Sequence, residues 1–169
     1  FHDGFRLLRW GGWFRRAGMR NVMLDTHQYL IAMEDPLFSG PARRLYLRSW
    51  RLPWLYRMLV GASGIAIRSA ARRIPVLVGE WCVENRWALH SRNRADAYRQ
   101  VSRLQRAAWD VSAGQIYWSY QLARSAKPGS GEGKPPRDPR NGGNLEAWDL
   151  TRVWRHGWIR ADTSHDDMP

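Results

Sequence analysis

The sequence predicts an α/β fold in which short parallel strands alternate with helices. Three apolar runs, residues 21–24, 74–78 and 115–118, are short and end in polar or aromatic residues, which is typical of buried strands. The stretches between them have the composition or the spacing of helices. This order of strand, helix, strand, helix, strand favours βα units around a parallel sheet.

The two connecting stretches differ in how clearly they indicate a helix. Residues 43–72 are rich in apolar residues and arginine, but Pro53, Gly61 and Gly64 interrupt them, so we expect two helical pieces there. The later stretch carries apolar residues at helical spacing, namely Ala97, Val101, Leu104, Ala108 and Val111. Gly114 stands where a C-terminal cap of that helix would belong.

The last part of the chain has a different composition. Residues 127–144 are rich in glycine, proline and charge, which predicts a flexible insertion without a core of its own. A short helix from about Leu150 to His156 and a polar tail, 161–169, are expected to follow. We interpret residues 1–160 as one partial domain. Three parallel strands alone would leave two unpaired edges, so we expect further strands upstream of Phe1.

Composition narrows the class of protein. The formal net charge of +12 would favour a nucleic acid or an anionic membrane as partner, but the cations are almost all arginines scattered along the chain. We therefore expect no nucleic-acid partner. No apolar run is long enough for a membrane span, and the single Cys82 excludes an internal disulfide. The start has no leader-like segment, and the compartment stays open, with a lean towards the extracellular space or cell surface.

Polar and aromatic residues follow all three predicted strands, where an active face is expected because the C-terminal ends of parallel strands line it. They are Asp25, His27 and Tyr29 after the first strand, Glu80 and Trp81 after the second, and Trp118 and Tyr120 after the third. A carboxylate such as Glu80 at the end of an apolar strand is costly unless it is hydrogen-bonded or used in chemistry. Gly79 would let the backbone or a ligand approach closely beside it.

Three motifs in order carry a resemblance to a known family. Residues 22–29 (VMLDTHQY), 79–81 (GEW) and 116–120 (IYWSY) resemble strands six, seven and eight of glycoside hydrolase family 5, especially its exo-β-1,3-glucanase branch. Residues 1–5 are similar to the segment after strand five, and 148–150 with 154–159 to the last helix. The resemblance spans almost the entire chain. It implies the C-terminal portion, about strands 6 to 8 with their helices, of a (β/α)8 TIM barrel.

The resemblance also implies roles for individual residues. Glu80 matches the nucleophile of a retaining mechanism on β-glucans or β-glucosides, His27 and Tyr29 match residues that line its site, and Trp118 matches the aromatic floor under the sugar. Tyr120 and Gln121 stand where the branch has Trp and Lys, which leaves the outer substrate-binding positions undefined. No cofactor is implied.

The family's acid/base, an Asn-Glu pair on an earlier strand, is not in this chain. We therefore expect the 169 residues alone to have no hydrolase activity, because a general acid contributes roughly 10²–10⁴-fold. The N-terminal half of the barrel is the expected structural partner.

Other interpretations of the same residues remain open. Glu80 could be a strand-end carboxylate paired with an arginine, and His27 a structural histidine. His2 and Asp3 resemble a metal-ligand pair, but no further ligand is spaced to complete a site, so we expect no metal. The competing function is non-catalytic: a degenerate barrel that only binds glycan, or a nucleic-acid module rich in arginine and tryptophan.

Overall fold

A computed structural model describes the chain over residues 2–3, 6–10, 13–38, 52–122 and 145–160. Its centre is a parallel sheet in the order β1 (Leu24–Gln28), β2 (Val76–Trp81) and β3 (Gly114–Tyr117). The predicted insertion at 127–144, the tail at 161–169 and the beginning of the 43–72 stretch lie outside the described residues.

Helices precede, connect and follow these strands. They are α1 (Trp13–Arg16), α2 (Leu30–Phe38), α3 (Leu52–Ala71), α4 (Arg86–His90), α5 (Arg94–Trp109) and α6 (Leu150–Arg155), with 3₁₀ turns at Leu7–Arg9 and Leu145–Trp148. The predicted α/β class, the helix before the third strand and the last helix are confirmed. Within the described ranges, no helix is both long and apolar enough to cross a membrane.

The helix α3 continues unbroken through Gly61 and Gly64, so the interruption expected at these glycines is absent. The division of the 43–72 stretch into two helical pieces stays a prediction, because its residues before 52 lie outside the described part of the chain. Pro53 is tolerated since it lies in the first turn, where the backbone N–H has no partner within the helix. A Cβ on Gly64 would lie 2.8 Å from the backbone oxygen of Ala108. This glycine therefore lets α3 and α5 approach each other closely and does not end the helix.

The strand boundaries also differ from the expected ones. The strand β1 begins at Leu24, where the apolar run ends, so Asp25 and His27 lie within the strand and not after it. Glu80 and Trp81 likewise belong to β2. Gly114 is not a helix cap, because α5 ends at Trp109 and Gly114 begins β3.

The sheet has one face covered by helices and one open face. Leu24, Val76 and Val78 are fully buried on the covered face, in one cluster with Ile67 of α3 and Trp109 of α5. Alternation along a strand places the next side chains on the other face. There Met23, just before β1, is 41 % exposed and Ile116 of β3 is 50 % exposed. The described helices thus leave apolar side chains of the open face in contact with solvent.

The segment before β1 runs along the outer edge of that strand. His2 forms a parallel bridge with Asp25, and the backbone N–H of Asp3 donates to the Asp25 carbonyl at 2.8 Å. The Asp3 side chain is buried and accepts a hydrogen bond from Thr26 Oγ1 at 2.8 Å. The parallel pairing therefore continues beyond the outer edge of β1. The order of the paired segments across the sheet is the same as their order in the chain.

A row of hydrogen bonds joins the polar side chains of β1 to the helices. Trp109 Nε1 donates to Ser63 Oγ at 3.1 Å, and Ser63 donates to Gln28 Oε1 at 2.6 Å. Gln28 Nε2 then donates to Thr26 Oγ1 at 2.8 Å. Buried polar groups are tolerated when they are paired in this way, which explains how a strand with so many polar residues can form in the interior.

The loop after β2 is tied to α2 and α3 through the buried Glu34. Its carboxylate accepts a hydrogen bond from the Tyr56 hydroxyl and one from the Arg86 backbone N–H, the latter at 3.0 Å to Oε2. Tyr56 in turn accepts the Trp87 N–H at 3.0 Å. Burial raises the pKa of Glu34 to about 8, although the Tyr56 and Arg86 contacts act in the opposite direction.

This raised pKa predicts a stability that falls with rising pH. An unfolded glutamate has a pKa of about 4.3, so the folded state binds more protons between that value and about 8. The stabilisation by neutral Glu34 is present at low pH and lost as pH rises through about 8. Urea unfolding of the wild type and of Glu34→Gln across this interval measures it, and the variant should show the weaker pH dependence. If the free energy of unfolding changed equally with pH in the two proteins, the raised pKa of Glu34 would be contradicted.

Candidate active site

A bulge in β2 sets the direction of the Glu80 side chain. Thr26 pairs with Val78, but the next pair is His27 with Glu80, so Gly79 is an extra residue in β2. A bulge of this kind reverses the alternation of side chains beyond it. Glu80 consequently lies on the open face beside His27, and Trp81 packs on the covered face against Trp109, with ring centroids 5.5 Å apart.

Two side chains of the β1 segment converge on one oxygen of Glu80. The Tyr29 hydroxyl donates to Glu80 Oε2 at 2.7 Å, and His27 Nδ1 lies 3.1 Å from the same atom. Among the described residues, both polar contacts of this carboxylate go to Oε2, and Oε1 has none. The Glu80 side chain is about one quarter exposed, and Oε2 is the oxygen that these two neighbours contact.

Tyr29 is placed to act as a permanent hydrogen-bond donor. Burial raises the pKa of Tyr29 above its ordinary range, and the hydrogen bond to Glu80 and its negative charge raise it further. The phenol therefore stays protonated and donates a hydrogen bond to the carboxylate. Its ring lies against Trp148, with centroids 5.3 Å apart. This tryptophan comes from the 3₁₀ turn before α6, and no local signal in the sequence indicated its place beside Tyr29.

His27 lies between two carboxylates. Its Nε2 is 3.3 Å from Asp25 Oδ2, while Nδ1 faces Glu80. Each nitrogen of the ring therefore faces a carboxylate oxygen. Asp25 thus orients the histidine that contacts Glu80, a role that the sequence did not single out. The His2 ring lies edge-on to His27 at 4.2 Å between centroids.

Gly79 leaves room for the Asp25 carboxylate. A Cβ added at this position would lie 1.9 Å from Asp25 Oδ1, which is far inside van der Waals contact. Oδ1 is buried and has no hydrogen-bond partner in the described part of the chain. Gly79 therefore does permit a close approach, but the approaching group is a side chain of the neighbouring strand and not backbone or a ligand.

The end of β3 brings Trp118 to the same end of the sheet. Tyr117 pairs with Trp81, and the Trp118 N–H donates to the Trp81 carbonyl at 2.8 Å. The Trp118 side chain is 49 % exposed, and its peptide bond to Ser119 is cis. Ser119 N–H donates to the Trp148 carbonyl at 2.7 Å, which joins this segment to the turn beside Tyr29.

The residues after Trp118 are held by α6. Leu122 N–H donates to Asp149 Oδ2 at 3.0 Å, and the backbone carbonyl of Tyr120 accepts the Thr151 N–H at 3.3 Å. Burial would raise the pKa of Asp149, but hydrogen bonds from Thr151, Leu122 and Arg152 outweigh it and lower the pKa.

Tyr120 is 67 % exposed and Gln121 is also exposed. Neither hydrogen-bonds Glu80 in the described structure, so their binding role stays a prediction.

A cavity of about 630 Å³ opens next to the His27 and Tyr29 end of β1. Besides these two residues, its walls come from Gln28, from Ala32 and Met33 of α2 and from the neighbouring side of α3.

The described residues contain no group of three His, Cys, Asp or Glu side chains placed to hold a metal.

Comparison with known proteins adds no relative: no protein-family model matches the chain, and no curated protein matches it significantly.

The contact between Gly79 and Asp25 predicts a coupled effect on stability. Gly79→Ala should lower the free energy of unfolding by about 1–3 kcal/mol, the usual range for overpacking, because the new methyl group displaces the carboxylate. The same substitution should cost less in an Asp25→Ala background, and a double-mutant cycle of urea unfolding measures that coupling. Gly61→Ala is the matched control, since a Cβ there meets nothing within 4 Å. Additive effects of the two substitutions would refute the contact.

Proposed function

We propose that this chain is the nucleophile-bearing part of a retaining glycoside hydrolase that acts on β-glucans or β-glucosides. The observation that carries the proposal is the convergence of the Tyr29 hydroxyl and His27 Nδ1 on one oxygen of Glu80, at 2.7 and 3.1 Å. The motif resemblance implies site roles for the same three residues, Glu80, His27 and Tyr29.

The proposed architecture is a (β/α)8 barrel of which the three strands form one part. Their order in the sheet follows the chain, all pairings are parallel, and the helices α3 and α5 pack on one face. The exposed Met23 and Ile116 on the other face are what the inside of an incomplete barrel would present. The bridge between His2 and Asp25 continues the pairing on the upstream side of β1.

Glu80 suits the role of nucleophile for a physical reason. The Tyr29 hydroxyl donates to Oε2 and His27 Nδ1 lies against the same atom, so we assign Oε1 as the oxygen that attacks an anomeric carbon. A retaining mechanism needs a second carboxyl group about 5–5.5 Å away to protonate the leaving oxygen. Asp25 does not fit this role, since it lies against His27 and Gly79. The proposal therefore assigns the acid/base to an Asn-Glu pair outside these residues.

Trp118 supports a carbohydrate substrate. Its half-exposed indole lies one residue beyond the Tyr117–Trp81 pair, at the strand end that carries Glu80. A flat apolar ring can stack on the face of a sugar and position the anomeric carbon for attack. Binding by stacking also fits the second candidate function, a barrel that binds glycan without cleaving it.

The nucleophile assignment predicts a loss of activity that a small anion restores. In a protein extended upstream to include the acid/base, Glu80→Gln should lower kcat/KM for an aryl β-glucoside by about 10³-fold or more. With Glu80→Gly, azide can enter the space left by the carboxylate, and turnover should recover with formation of a glycosyl azide of inverted configuration. Glu146→Gln, a substitution in the turn before α6, is the control and should stay near wild type. Activity retained by Glu80→Gln would exclude this residue as nucleophile.

The stacking role of Trp118 is testable on the chain itself. Trp118→Ala should weaken binding of a β-linked gluco-oligosaccharide by about tenfold or more, since a stacked ring is worth roughly 1–3 kcal/mol. Trp154→Ala, at another tryptophan that is about half exposed, should leave binding unchanged. Isothermal titration measures the affinity for the oligosaccharide at low and at high salt. A nucleic-acid module would instead show an affinity for nucleic acid that falls steeply with salt. Equal affinity of wild type and Trp118→Ala would contradict the role.

A further inference from the structure

The outer side of α3 carries exposed apolar side chains in a row. Trp54, Met58 and Ile65 are 62 %, 54 % and 71 % exposed. A helix turns about 100° per residue, so these three positions fall within about 40° of one another around the helix axis. They form a ridge about 16 Å long, which we call the α3 crest (Trp54, Met58 and Ile65).

The crest points away from the rest of the domain. Tyr56, Val60 and Ile67 lie on the opposite side of the helix and are 0 %, 1 % and 0 % exposed. This buried side packs towards the sheet and α5. The crest is therefore on the outside of the helical layer, and the candidate site lies on the open face of the sheet, so a partner on the crest leaves Glu80 accessible.

The charge around the crest has one sign. Arg57, Arg68, Arg72 and Arg73 are exposed on or directly after α3, and the helix sequence Leu52–Ala71 contains no aspartate or glutamate. Arginines near a helix C-terminus also interact favourably with its dipole, but this explains neither Arg57 in the second turn nor the exposed apolar side chains.

The neighbouring 3₁₀ turn also exposes apolar and basic side chains. Leu7–Arg9 contacts α3, and its Leu8 is 61 % exposed beside the exposed Arg9. Apolar and basic side chains are thus combined on both elements. The net charge of +12 for the chain adds a long-range attraction to any anionic surface.

We propose that the outer face of α3 docks on an anionic lipid surface. Trp54, Met58 and Ile65 enter the headgroup region, and the flanking arginines face lipid phosphates, as in helices that lie in the plane of a membrane. A nucleic acid would use the arginines, but aliphatic Met58 and Ile65 offer no platform for stacked bases. The proposal concerns the outer helical layer and is independent of the proposed hydrolase activity.

The test is sedimentation of the whole chain with vesicles of phosphatidylcholine, with and without about 30 % phosphatidylglycerol. Wild type should bind the anionic vesicles, and binding should weaken as salt is raised. Trp54→Gln with Ile65→Gln should weaken binding at least about tenfold. The matched control, Trp154→Gln with Ile116→Gln, removes the same residue types elsewhere and should bind like wild type.

A second pair of variants separates the local arginines from overall charge. Arg57→Gln with Arg68→Gln should also weaken binding at least about tenfold, whereas Arg103→Gln with Arg155→Gln, at exposed positions of α5 and α6, should have a smaller effect. Circular dichroism checks that each variant is folded. Failure of the wild type to bind anionic vesicles would overturn the proposal. Equal losses in α3 and control variants would also overturn it, as would a preference for an RNA duplex that depends on the same α3 residues.

Discussion

The one-residue bulge at Gly79 is the constraint on which the candidate site depends. With regular alternation, Glu80 would point into the helical layer and Trp81 towards the open face. The extra residue places the carboxylate next to His27 and the indole against Trp109. A carboxylate buried in that apolar layer without partners would be strongly disfavoured, so the bulge satisfies packing and chemistry at once. Only glycine fits there, because Asp25 occupies the space of a side chain.

The covered face of the sheet holds the strands in place, and the open face carries the accessible side chains. On the covered face, Trp109, Ser63, Gln28 and Thr26 are connected by hydrogen bonds that fasten β1 to α3 and α5. Such satisfied buried networks restrict a strand to one arrangement. On the open face, His27, Tyr29 and Glu80 are partly accessible, and both His27 and Tyr29 contact Glu80. The side chains that would meet a ligand are therefore carried by strands that are held in place by contacts on the covered face of the sheet.

The described structure also separates two surfaces that suit different partners. The open face of the sheet combines carboxylate, imidazole, phenol and indole groups at the strand ends, which suits a polar ligand with apolar faces. The α3 crest combines apolar side chains with arginines on the outside of the helices, which suits an extended anionic surface. Because the sheet and the buried side of α3 lie between them, one surface can be occupied without covering the other.

The sequence by itself determined the alternation of strands and helices, α5 and α6, and the residues of the candidate site. Apolar spacing in α5 is a local property, and a motif such as Gly79-Glu80-Trp81 is visible without coordinates. The sequence did not reveal the start of β1, the continuity of α3 or the place of Trp148. These depend on contacts between distant residues: Thr26 and Gln28 are stable in a strand because Asp3 and Ser63 bind them, and Gly64 stays helical because α5 packs against it. Local patterns identify which groups are available, whereas the tertiary structure decides which of them meet, because hydrogen bonds and packing across the fold outweigh local propensity.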